Sequence, residues 1–322
     1  MNASDAPTLY IVVPCFNEEE VLPETSRRLR EKVQALVASK KIGEGSRILF
    51  SNDGSTDKTW EMVRQLHDDP AFGSLYTGIS LAHNRGHQNA LYAGLMAALA
   101  HGCDAAVSMD ADLQDDVDAI DEMVDAYLQG ANIVYGVRDN RDTDTRFKRG
   151  TAEAFYGLMK AMGTETVPNS ADFRLMDAKA LEALSQYGET NLFLRGIVPT
   201  LGFKTAKVYY RRGERFAGQS KYPLSKMLSL AVDGITSFSV TPLRIVTIGG
   251  GVFVLIAMVM LAYALISLAM GTTVSGWTSL LVSIWFVGGA LMISLGVVGE
   301  YVGRIYMESK QRPRYIVWEE LS

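Results

Sequence analysis

The chain contains 322 residues, of which 48% are hydrophobic and 21% charged, and its formal net charge is −5. This acidic balance argues against a nucleic-acid-binding protein, which would carry a basic stripe, so we expect no nucleic-acid partner. The length predicts about two domains. The two cysteines, Cys15 and Cys103, lack metal-ligand spacing and are expected to be free thiols in a reducing compartment.

Strand-like and helix-like segments alternate through the front half of the chain. Apolar, β-branched runs predict buried strands, and a segment with helical character follows each of the first four. This alternation predicts an α/β fold with a doubly wound, mainly parallel sheet. The predicted strands are 9–13, 48–52, 75–81, 105–109 and 132–137. The predicted helices with two bounds are 21–38, 117–129 and 151–162. Further helices are predicted to start near 58, to end near 100, and to lie around 177 and 195.

Polar residues follow the first two strands, at the edge where open α/β sheets bind ligands. Pro14 stops the first strand and precedes Asn17 and Glu18, and Asp53 ends the second. Asn17 is equally well explained as a helix cap, and Asp53 with Gly54 as an ordinary turn. The sequence contains neither the dinucleotide-binding nor the P-loop glycine pattern, so a nucleotide here would have to be held differently, by carboxylates and a metal.

The buried strand 105–109 leads directly into an acidic segment, 110–116. Asp110 and Asp112 are two residues apart, so in extended backbone both side chains would face the same side. Two adjacent carboxylates repel unless a proton or cation lies between them. Mg²⁺ or Mn²⁺ prefers such oxygen ligands and takes others from substrate phosphates. Alone, the motif fits an acidic helix start equally well; with the rest of the chain it favours a metal site for a nucleotide diphosphate.

Basic residues cluster in two later segments, 138–149 and 211–215, and a loop rich in small residues follows at 217–223. A charge run is usually a solvated face. Beside a predicted membrane segment, it favours either an electrostatic anchor for anionic headgroups or a phosphate-binding site. His83 and His87 lack a third ligand at metal-binding spacing, so we expect them to line a polar loop near the nucleotide.

The last third of the chain has the pattern of a membrane segment. Apolar residues recur at steps of three and four through 224–238, which predicts an amphipathic helix at the membrane interface or packed on the soluble domain. Residues 245–270 and 277–299 carry no charged side chain and are long enough to cross a bilayer. We therefore expect a transmembrane hairpin. Basic flanks and a short polar N-terminus without signal-peptide features place both termini in the cytoplasm.

Six short motifs occur in a fixed order. They are Val-Pro-Cys-Phe-Asn-Glu at 13–18, Asn-Asp-Gly-Ser-Thr-Asp at 52–57, Asn-Arg-Gly-His-Gln at 84–88, Asp-Ala-Asp-Leu-Gln-Asp at 110–115, Asp-Phe-Arg-Leu-Met at 172–176 and Ala-Gly-Gln-Ser-Lys-Tyr at 217–222. This order resembles family-two glycosyltransferases. The last two motifs and the hairpin resemble the polyprenyl-phosphate glycosyltransferases, which include dolichyl-phosphate mannose synthases and bactoprenol glucosyltransferases. One departure is Asn52, where the family often has aspartate.

The resemblance implies an inverting transfer of a sugar from a nucleotide sugar to polyprenyl phosphate, with Mg²⁺ or Mn²⁺ as cofactor. It places the nucleotide at Pro14, Asn17, Glu18, Asp53 and Asp110. It places the metal at Asp110, Asp112 and Gln114. It places the acceptor phosphate at Arg138, Arg212, Arg215, Ser220 and Lys221. It gives catalytic roles to Asp112, Asp172 and Arg138, although pairing with Arg174 or another arginine would also explain Asp172.

The expected domains follow from these features. They are a cytoplasmic nucleotide-sugar glycosyltransferase domain at 1–222, an interfacial amphipathic helix at 223–243, two transmembrane helices at 244–303 and a cytoplasmic tail at 304–322. We expect UDP-glucose as the donor, a location in the cytoplasmic membrane and an arrangement compatible with a homo-oligomer.

Two other functions remain open at this point. A processive polysaccharide synthase would share the front half, but typically carries a Gln-x-x-Arg-Trp pentapeptide and more spans, and the sequence has no such pentapeptide. A membrane-tethered protein that binds sugar nucleotides without catalysis is the second alternative, and the intact acidic motifs argue against it.

Overall fold

The computed structural model describes residues 6–139, 167, 169–189, 192–213, 241–270 and 276–322. Within these residues, eight strands form one sheet. The strands are β1 (Leu9–Cys15), β2 (Arg47–Asn52), β3 (Tyr76–Leu81), β4 (Ala105–Ser108), β5 (Ile133–Arg138), β6 (Ser170–Asp177), β7 (Thr205–Tyr210) and β8 (Val317–Leu321). The helices are α1 (Leu22–Ala38), α2 (Thr59–His67), α3 (His87–Ala100), α4 (Ala119–Leu128), α5 (Ala178–Ser185), α6 (Leu194–Thr200), α7 (Thr241–Ala269) and α8 (Trp277–Ser309), with a 3-10 turn at Gly73–Leu75.

Strand β1 lies at the centre of the α/β architecture and is buried on both faces. Ile11 belongs to the same apolar cluster as Leu29 of α1. The neighbouring Val12 points to the opposite face, because successive side chains of a strand alternate. There, Gly94 lets α3 approach closely: a Cβ at this glycine would lie 2.5 Å from Val12 Cγ1. Helices therefore cover both faces of the sheet, as predicted.

The sheet is mixed, so the prediction of a mainly parallel sheet is only partly right. The strand order is β7-β5-β6-β4-β1-β2-β3-β8. Strand β1 pairs in parallel with β2 and β4, β2 with β3, and β5 with β7. Strand β6 runs antiparallel between β4 and β5, and β8 runs antiparallel to β3. Strands β6, β7 and β8 were not among the strands predicted from the sequence.

The carboxyl ends of β1, β2 and β4 meet at one edge of the sheet because these three strands are parallel neighbours. Cys15 pairs with Asn52, and Val12 pairs with Ser108. The segments that follow these strands therefore emerge side by side. They carry the residues predicted for the nucleotide and the metal.

The end of the described chain returns to the sheet. Strand β8 pairs with β3 from Gly78↔Leu321 to Leu81↔Val317. The Glu319 carboxylate accepts a bond from Trp60 Nε1 at 2.9 Å and pairs with Arg64, both on α2. The tail predicted at 304–322 thus contains a strand of the same sheet as the candidate nucleotide site.

Helices α7 and α8 belong to a second compact unit. Both form where the two apolar runs predict helices. In the described part of the chain, one segment is long and apolar enough to cross a membrane, Phe286–Ser309; the apolar segment Ile245–Met260 is shorter. The predicted helices at 151–162 and 224–238 lie outside the described residues.

Candidate active site

Asn17 connects the segments that follow β1 and β2. Its backbone is left-handed, with φ of 55°. Its Oδ1 accepts a bond from the Thr56 amide at 2.8 Å, and its own amide donates to Ser55 Oγ at 3.0 Å. Asn17 does not cap α1, whose N-cap residue is Val21. The capping alternative is therefore wrong, and the residue instead holds together the edge of the predicted nucleotide site.

Asp53 connects the end of β2 with the loop before α3. The carboxylate is buried and accepts bonds from the backbone amides of Arg85 at 2.6 Å and Gly86 at 2.8 Å. Burial raises the pKa of Asp53, and the two amide bonds oppose that shift. Gly54 lies directly against this loop with φ of 64°; a Cβ there would lie 2.8 Å from the Asn84 amide nitrogen. Asp53 therefore fixes the shape of the loop that leads into α3, whose first residue is His87.

Pro14 and Glu18 lie at the same edge. Pro14 is buried within β1 and pairs with Ser51. The Glu18 amide donates to Thr59 Oγ1 at 2.9 Å. The residues predicted for the nucleotide thus lie on adjacent segments at the carboxyl edge of β1, β2 and β4.

The acidic segment after β4 forms a turn. Strand β4 ends at Ser108, and Leu113 adopts φ of 55°. Asp112 Oδ1 accepts a bond from the Gln114 amide at 3.2 Å, which stabilises this turn. Asp110 and Asp112 therefore lie beyond the end of β4 and not in extended strand. Both side chains are partly exposed at the carboxyl edge, and Ala111 between them is buried.

Asp110 is the carboxylate with the least favourable electrostatic surroundings. Burial raises its pKa to about 6; His87 opposes this shift, and neighbouring carboxylates, with Asp115 the strongest, reinforce it. The nearest cationic group is His87, whose Nε2 lies 3.5 Å from Asp110 Oδ1. A carboxylate crowded by like charges favours a bound cation or proton. The carboxylate oxygens of Asp110 are therefore suitable ligands for a divalent metal ion.

Among the described residues, no cluster of three or more His, Cys, Asp and Glu has the geometry of a complete metal site. A Mg²⁺-type site usually combines one or two carboxylates with water and substrate phosphates. The predicted third ligand, Gln114, has its Oε1 hydrogen-bonded to Arg212 Nη2. The Gly213 amide also donates to the Gln114 carbonyl at 2.9 Å. The structure thus places Arg212, predicted for the acceptor, beside the acidic segment.

Asp172 lies on β6 at the centre of a buried ionic network. Its side chain is 6% exposed, and it accepts bonds from Arg174 Nη2 at 2.6 Å, Arg195 Nη2 at 3.0 Å and Gln88 Nε2 at 3.1 Å. Burial favours the neutral acid, but Arg195, His87 and Arg174 together hold the pKa of Asp172 well below its usual range. A carboxylate held so firmly as an anion is a weak general base. The structure therefore contains the ion pair between Asp172 and Arg174 that was the alternative explanation for this aspartate.

The start of α3 connects this network with the acidic segment. His87 Nε2 lies 3.5 Å from Asp110 Oδ1 and 3.6 Å from Asp172 Oδ2. Burial lowers the pKa of His87, but the two carboxylates outweigh this and raise it above its usual value. Gln88 bonds to Asp172 and also accepts a bond from the Leu194 amide at 3.1 Å. His87 therefore lies inside the site, between two of the predicted residues.

Arg138, at the end of β5, contacts two buried groups. Its Nη2 lies 3.2 Å from Asp115 Oδ1, and its Nε donates to Tyr210 Oη at 3.2 Å. The Tyr210 hydroxyl also donates to Asp115 Oδ1. Among the described residues, Asp115 Oδ2 is buried without a hydrogen-bond partner, an arrangement that costs roughly 1–3 kcal/mol. Burial and the Asp115 charge raise the pKa of Tyr210 above its usual value.

His87 was predicted only to line a polar loop near the nucleotide, and four other site residues were given no role from the sequence: Gln88, Asp115, Arg195 and Tyr210. The motifs at 84–88 and 110–115 already contained the first two of these four, so the signal was present. Arg195 and Tyr210 had none beyond a general basic character of their surroundings. The predicted acceptor residues Arg215, Ser220 and Lys221 lie outside the described residues.

A cavity of about 580 Å³ adjoins this site. Its walls include the acidic turn at Gln114 and Asp115, the following strand end at Arg211 and Gly213, and α1 at Lys32. Asp53 and Asp110 do not line it. The cavity therefore lies beside the Asp115 and Gln114 end of the site, away from the segments predicted to hold the nucleotide.

Comparison with known proteins identifies relatives over almost the whole chain. The chain is 51% identical over 311 residues to the uncharacterized glycosyltransferase YkoT of Bacillus subtilis (strain 168), which covers 97% of this chain and 91% of that protein. It is 42% identical over 315 residues to the bactoprenol glucosyl transferase of Shigella phage SfV, which covers 97% of this chain and 98% of that protein. Glucosyl-3-phosphoglycerate synthase from Mycobacterium tuberculosis is a distant structural neighbour, with 18% identity, a TM-score of 0.48, and coverage of 73% of this chain and 80% of that one.

The pattern of the family described as glycosyl transferase family 2 matches residues 10–201, from β1 to the end of α6. This stretch contains every described element of the site apart from β7 and the residues after it. Together with the near full-length relatives, the match shows that the chain is an enzyme of glycosyl transferase family 2.

Proposed function

We propose that this enzyme transfers glucose from UDP-glucose to a polyprenyl phosphate at the cytoplasmic face of a membrane, with inversion at the anomeric carbon. The observation that carries the proposal is the proximity of an acidic turn to two arginines. Gln114 bonds to Arg212, and Asp115 bonds to Arg138. Such a site suits a reaction between two phosphate-bearing substrates. Relatives named bactoprenol glucosyl transferase, 42% identical over nearly the full chain, support the lipid acceptor.

The donor side consists of the segments after β1, β2 and β4. Asn17, Asp53 and Glu18 would contact the base and ribose at this edge. Asp110 and Asp112 would hold Mg²⁺ or Mn²⁺ with the diphosphate, and Gln114 is the proposed third ligand. A divalent cation bound there would offset the negative charge that develops on the departing nucleoside diphosphate.

The acceptor needs orientation more than activation. A phosphate monoester has a second pKa near 6 and is already largely a dianion at neutral pH. Its approach to a second phosphate-bearing substrate is opposed by charge repulsion, which arginines reduce. Arg138 and Arg212 are the described cations for this task; Arg215, Ser220 and Lys221 are proposed to complete the set.

Asp172 is proposed as a positioning residue rather than the base. Its low pKa and its bonds to Arg195 and Gln88 fit a carboxylate that orders the surrounding side chains. Asp112 remains the proposed group that orients the acceptor. The phosphate itself supplies the nucleophilic oxygen.

The membrane arrangement extends the same proposal. Phe286–Ser309 is apolar enough to span a bilayer, and Ile248 and Met260 of α7 are also exposed apolar residues. Exposed apolar helix surfaces are suited to contact with lipid chains. We propose that α7 and α8 form a two-span hairpin, with the amphipathic segment 223–243 in the interface and the domain 1–222 and the tail 304–322 in the cytoplasm.

The test uses the purified full-length chain with Mg²⁺ or Mn²⁺, undecaprenyl phosphate and a panel of radiolabelled nucleotide sugars. Radioactivity that moves into organic solvent identifies the sugar transferred, and we expect label from UDP-glucose. Asp110→Asn and Asp112→Asn should each abolish transfer without unfolding the protein. Full activity in both variants, or binding of UDP-glucose without transfer to any lipid phosphate, would contradict the proposal.

A further inference from the structure

The Arg138 guanidinium is contacted along one edge by two side chains that have no assigned role. Nε and Nη2 form this edge, and they meet Tyr210 Oη and Asp115 Oδ1, each at 3.2 Å. The Tyr210 hydroxyl donates to the same Asp115 oxygen. The three groups therefore form a closed triangle of hydrogen bonds. Since a guanidinium is planar, the opposite edge, which bears Nη1, points away from this pair.

Three separate backbone segments supply this triangle. Arg138 and Tyr210 are paired residues of the parallel strands β5 and β7. Asp115 comes from the turn that also contains Asp110 and Asp112. The Tyr210 ring packs edge-on against Phe173, with centroids 5.2 Å apart. The tyrosine hydroxyl thus has a fixed place, set by the sheet on one side and by an aromatic contact on the other.

The triangle also contains a buried charge that folding alone does not require. The Asp115 side chain is 1% exposed, and its only described ionic partner is Arg138, whose side chain is 28% exposed. A fully buried carboxylate paired with a partly exposed arginine is a poor means of stabilising a fold. It is an effective way to hold a guanidinium in one orientation, because both contacts use directed hydrogen bonds.

We propose that Tyr210 and Asp115 are positioning residues, which orient Arg138 so that its Nη1-bearing edge meets the acceptor phosphate. This inference rests on the proposed function, since it assigns Arg138 to the acceptor. It adds two residues to the acceptor side of the site, and neither of them touches the substrate. It also explains why the acidic turn extends to Asp115, beyond the residues proposed for the metal.

The test is Tyr210→Phe in the purified full-length enzyme. This change removes only the hydroxyl and keeps the ring contact with Phe173. The KM for undecaprenyl phosphate should rise about three- to tenfold, because the hydrogen bonds of the hydroxyl to Arg138 and Asp115 are lost and the guanidinium is held less firmly toward the phosphate. The KM for the nucleotide sugar should stay within about twofold of wild type.

Tyr135→Phe is the matched control. Tyr135 lies on the same strand β5, is buried, and has a hydroxyl without a partner among the described residues. Its removal should leave both KM values unchanged. A similar melting temperature for the two variants would show that a kinetic difference between them is not caused by unfolding.

Double substitution tests whether Tyr210 acts through Arg138. Lysine lacks the guanidinium edge, so Tyr210→Phe should have no further effect on the acceptor KM in an Arg138→Lys enzyme. In the enzyme that keeps Arg138, Asp115→Asn should raise the KM for undecaprenyl phosphate. Asp115→Glu, which keeps the carboxylate, should raise it less.

Three results would overturn the inference while the proposed function stands. They are an unchanged acceptor KM in Tyr210→Phe, an equal rise in both KM values, and a full additional effect of Tyr210→Phe in Arg138→Lys. Absence of any transfer to undecaprenyl phosphate by the wild type would instead overturn the proposed function, and with it the assignment of Arg138 to the acceptor.

Discussion

His87 Nε2 lies 3.5 Å from Asp110 Oδ1, where it is the nearest cationic group to the most electrostatically strained carboxylate of the site. Burial raises the pKa of Asp110 to about 6, and His87 limits the rise. The neutral acid therefore predominates below pH 6 and the carboxylate above it. Since a metal binds the carboxylate, the affinity for Mn²⁺ should depend on pH in this range.

We expect Mn²⁺ to bind about tenfold more weakly at pH 5 than at pH 7, measured by calorimetry in the presence of UDP. His87→Gln removes the charge that keeps Asp110 ionised, so the midpoint of this pH dependence should move to higher pH. Affinity that is constant between pH 5 and 7 in the wild type would show that Asp110 does not hold the metal.

Replacement of Asp172 should destabilise the fold. Asp172→Asn leaves Arg174, whose side chain is 3% exposed, without a charged partner. A buried ion pair broken in this way costs roughly 3–5 kcal/mol. Thermal unfolding in detergent should show a clearly lower melting temperature. Asp116→Asn is the control, because Asp116 is exposed and the side-chain oxygen of asparagine can still accept the hydrogen bond from the Asp118 backbone amide. This change should alter the free energy of unfolding by less than about 0.5 kcal/mol.

The same pair predicts a pH dependence of stability. The folded pKa of Asp172 lies below the unfolded value of about 3.9. The stabilisation by its charged form is therefore complete above the unfolded pKa and is lost as the pH falls through the lower folded value. The melting temperatures of wild type and Asp172→Asn should converge in acid. A difference that grows as the pH falls would contradict this assignment.

Two glycines beside the predicted nucleotide site should respond differently to alanine. Both have positive φ, 64° at Gly54 and 86° at Gly86, so both changes strain the backbone by about 1 kcal/mol. At Gly86 a Cβ would meet nothing within 4 Å, whereas at Gly54 it would lie 2.8 Å from the Asn84 amide nitrogen. Gly54→Ala should therefore lower both the melting temperature and UDP affinity more than Gly86→Ala. Equal effects would show that the contact with Asn84 relaxes without cost.

Removal of residues 313–322 should destabilise the sheet-containing unit. The deletion takes away β8 and exposes the edge of β3. It also removes the partner of Trp60 and Arg64. Glu319→Ala is the comparison, since an ion pair that is open to solvent contributes little to stability. Melting followed by tryptophan fluorescence should show a large loss for the deletion and a small one for Glu319→Ala; the reverse order would mean that the strand itself adds little.

The sequence predicted the parts of the fold that follow a regular pattern. Strands β1, β2 and β4 are built around the apolar runs 9–13, 48–50 and 105–107, and each leads into polar residues at the carboxyl edge. Helix α1 repeats its buried residues at helical spacing, from Leu22 to Leu36. These local patterns were sufficient to place Asp53 and the acidic segment at the carboxyl ends of buried strands.

Strands β6 and β8 were not predicted, because the interactions that stabilise them are not local in sequence. Strand β6 contains Asp172 and Arg174, two charged residues that are buried together as an ion pair, with Arg195 as a further partner of Asp172. Strand β8 carries Glu319 and Glu320 and is stabilised by partners more than 200 residues earlier in the chain, such as Trp60 and His101. The turn at Leu113 likewise has no sequence signal, since a positive φ is rare for leucine.

The position of β8 also sets an order for biosynthesis. This strand is translated after both long apolar helices, yet it lies beside β3, which is made far earlier. The edge of β3 therefore stays uncovered on the ribosome until α7 and α8 have emerged. If those helices enter a bilayer as they emerge, the last strand of the sheet is added to a chain that is already tethered.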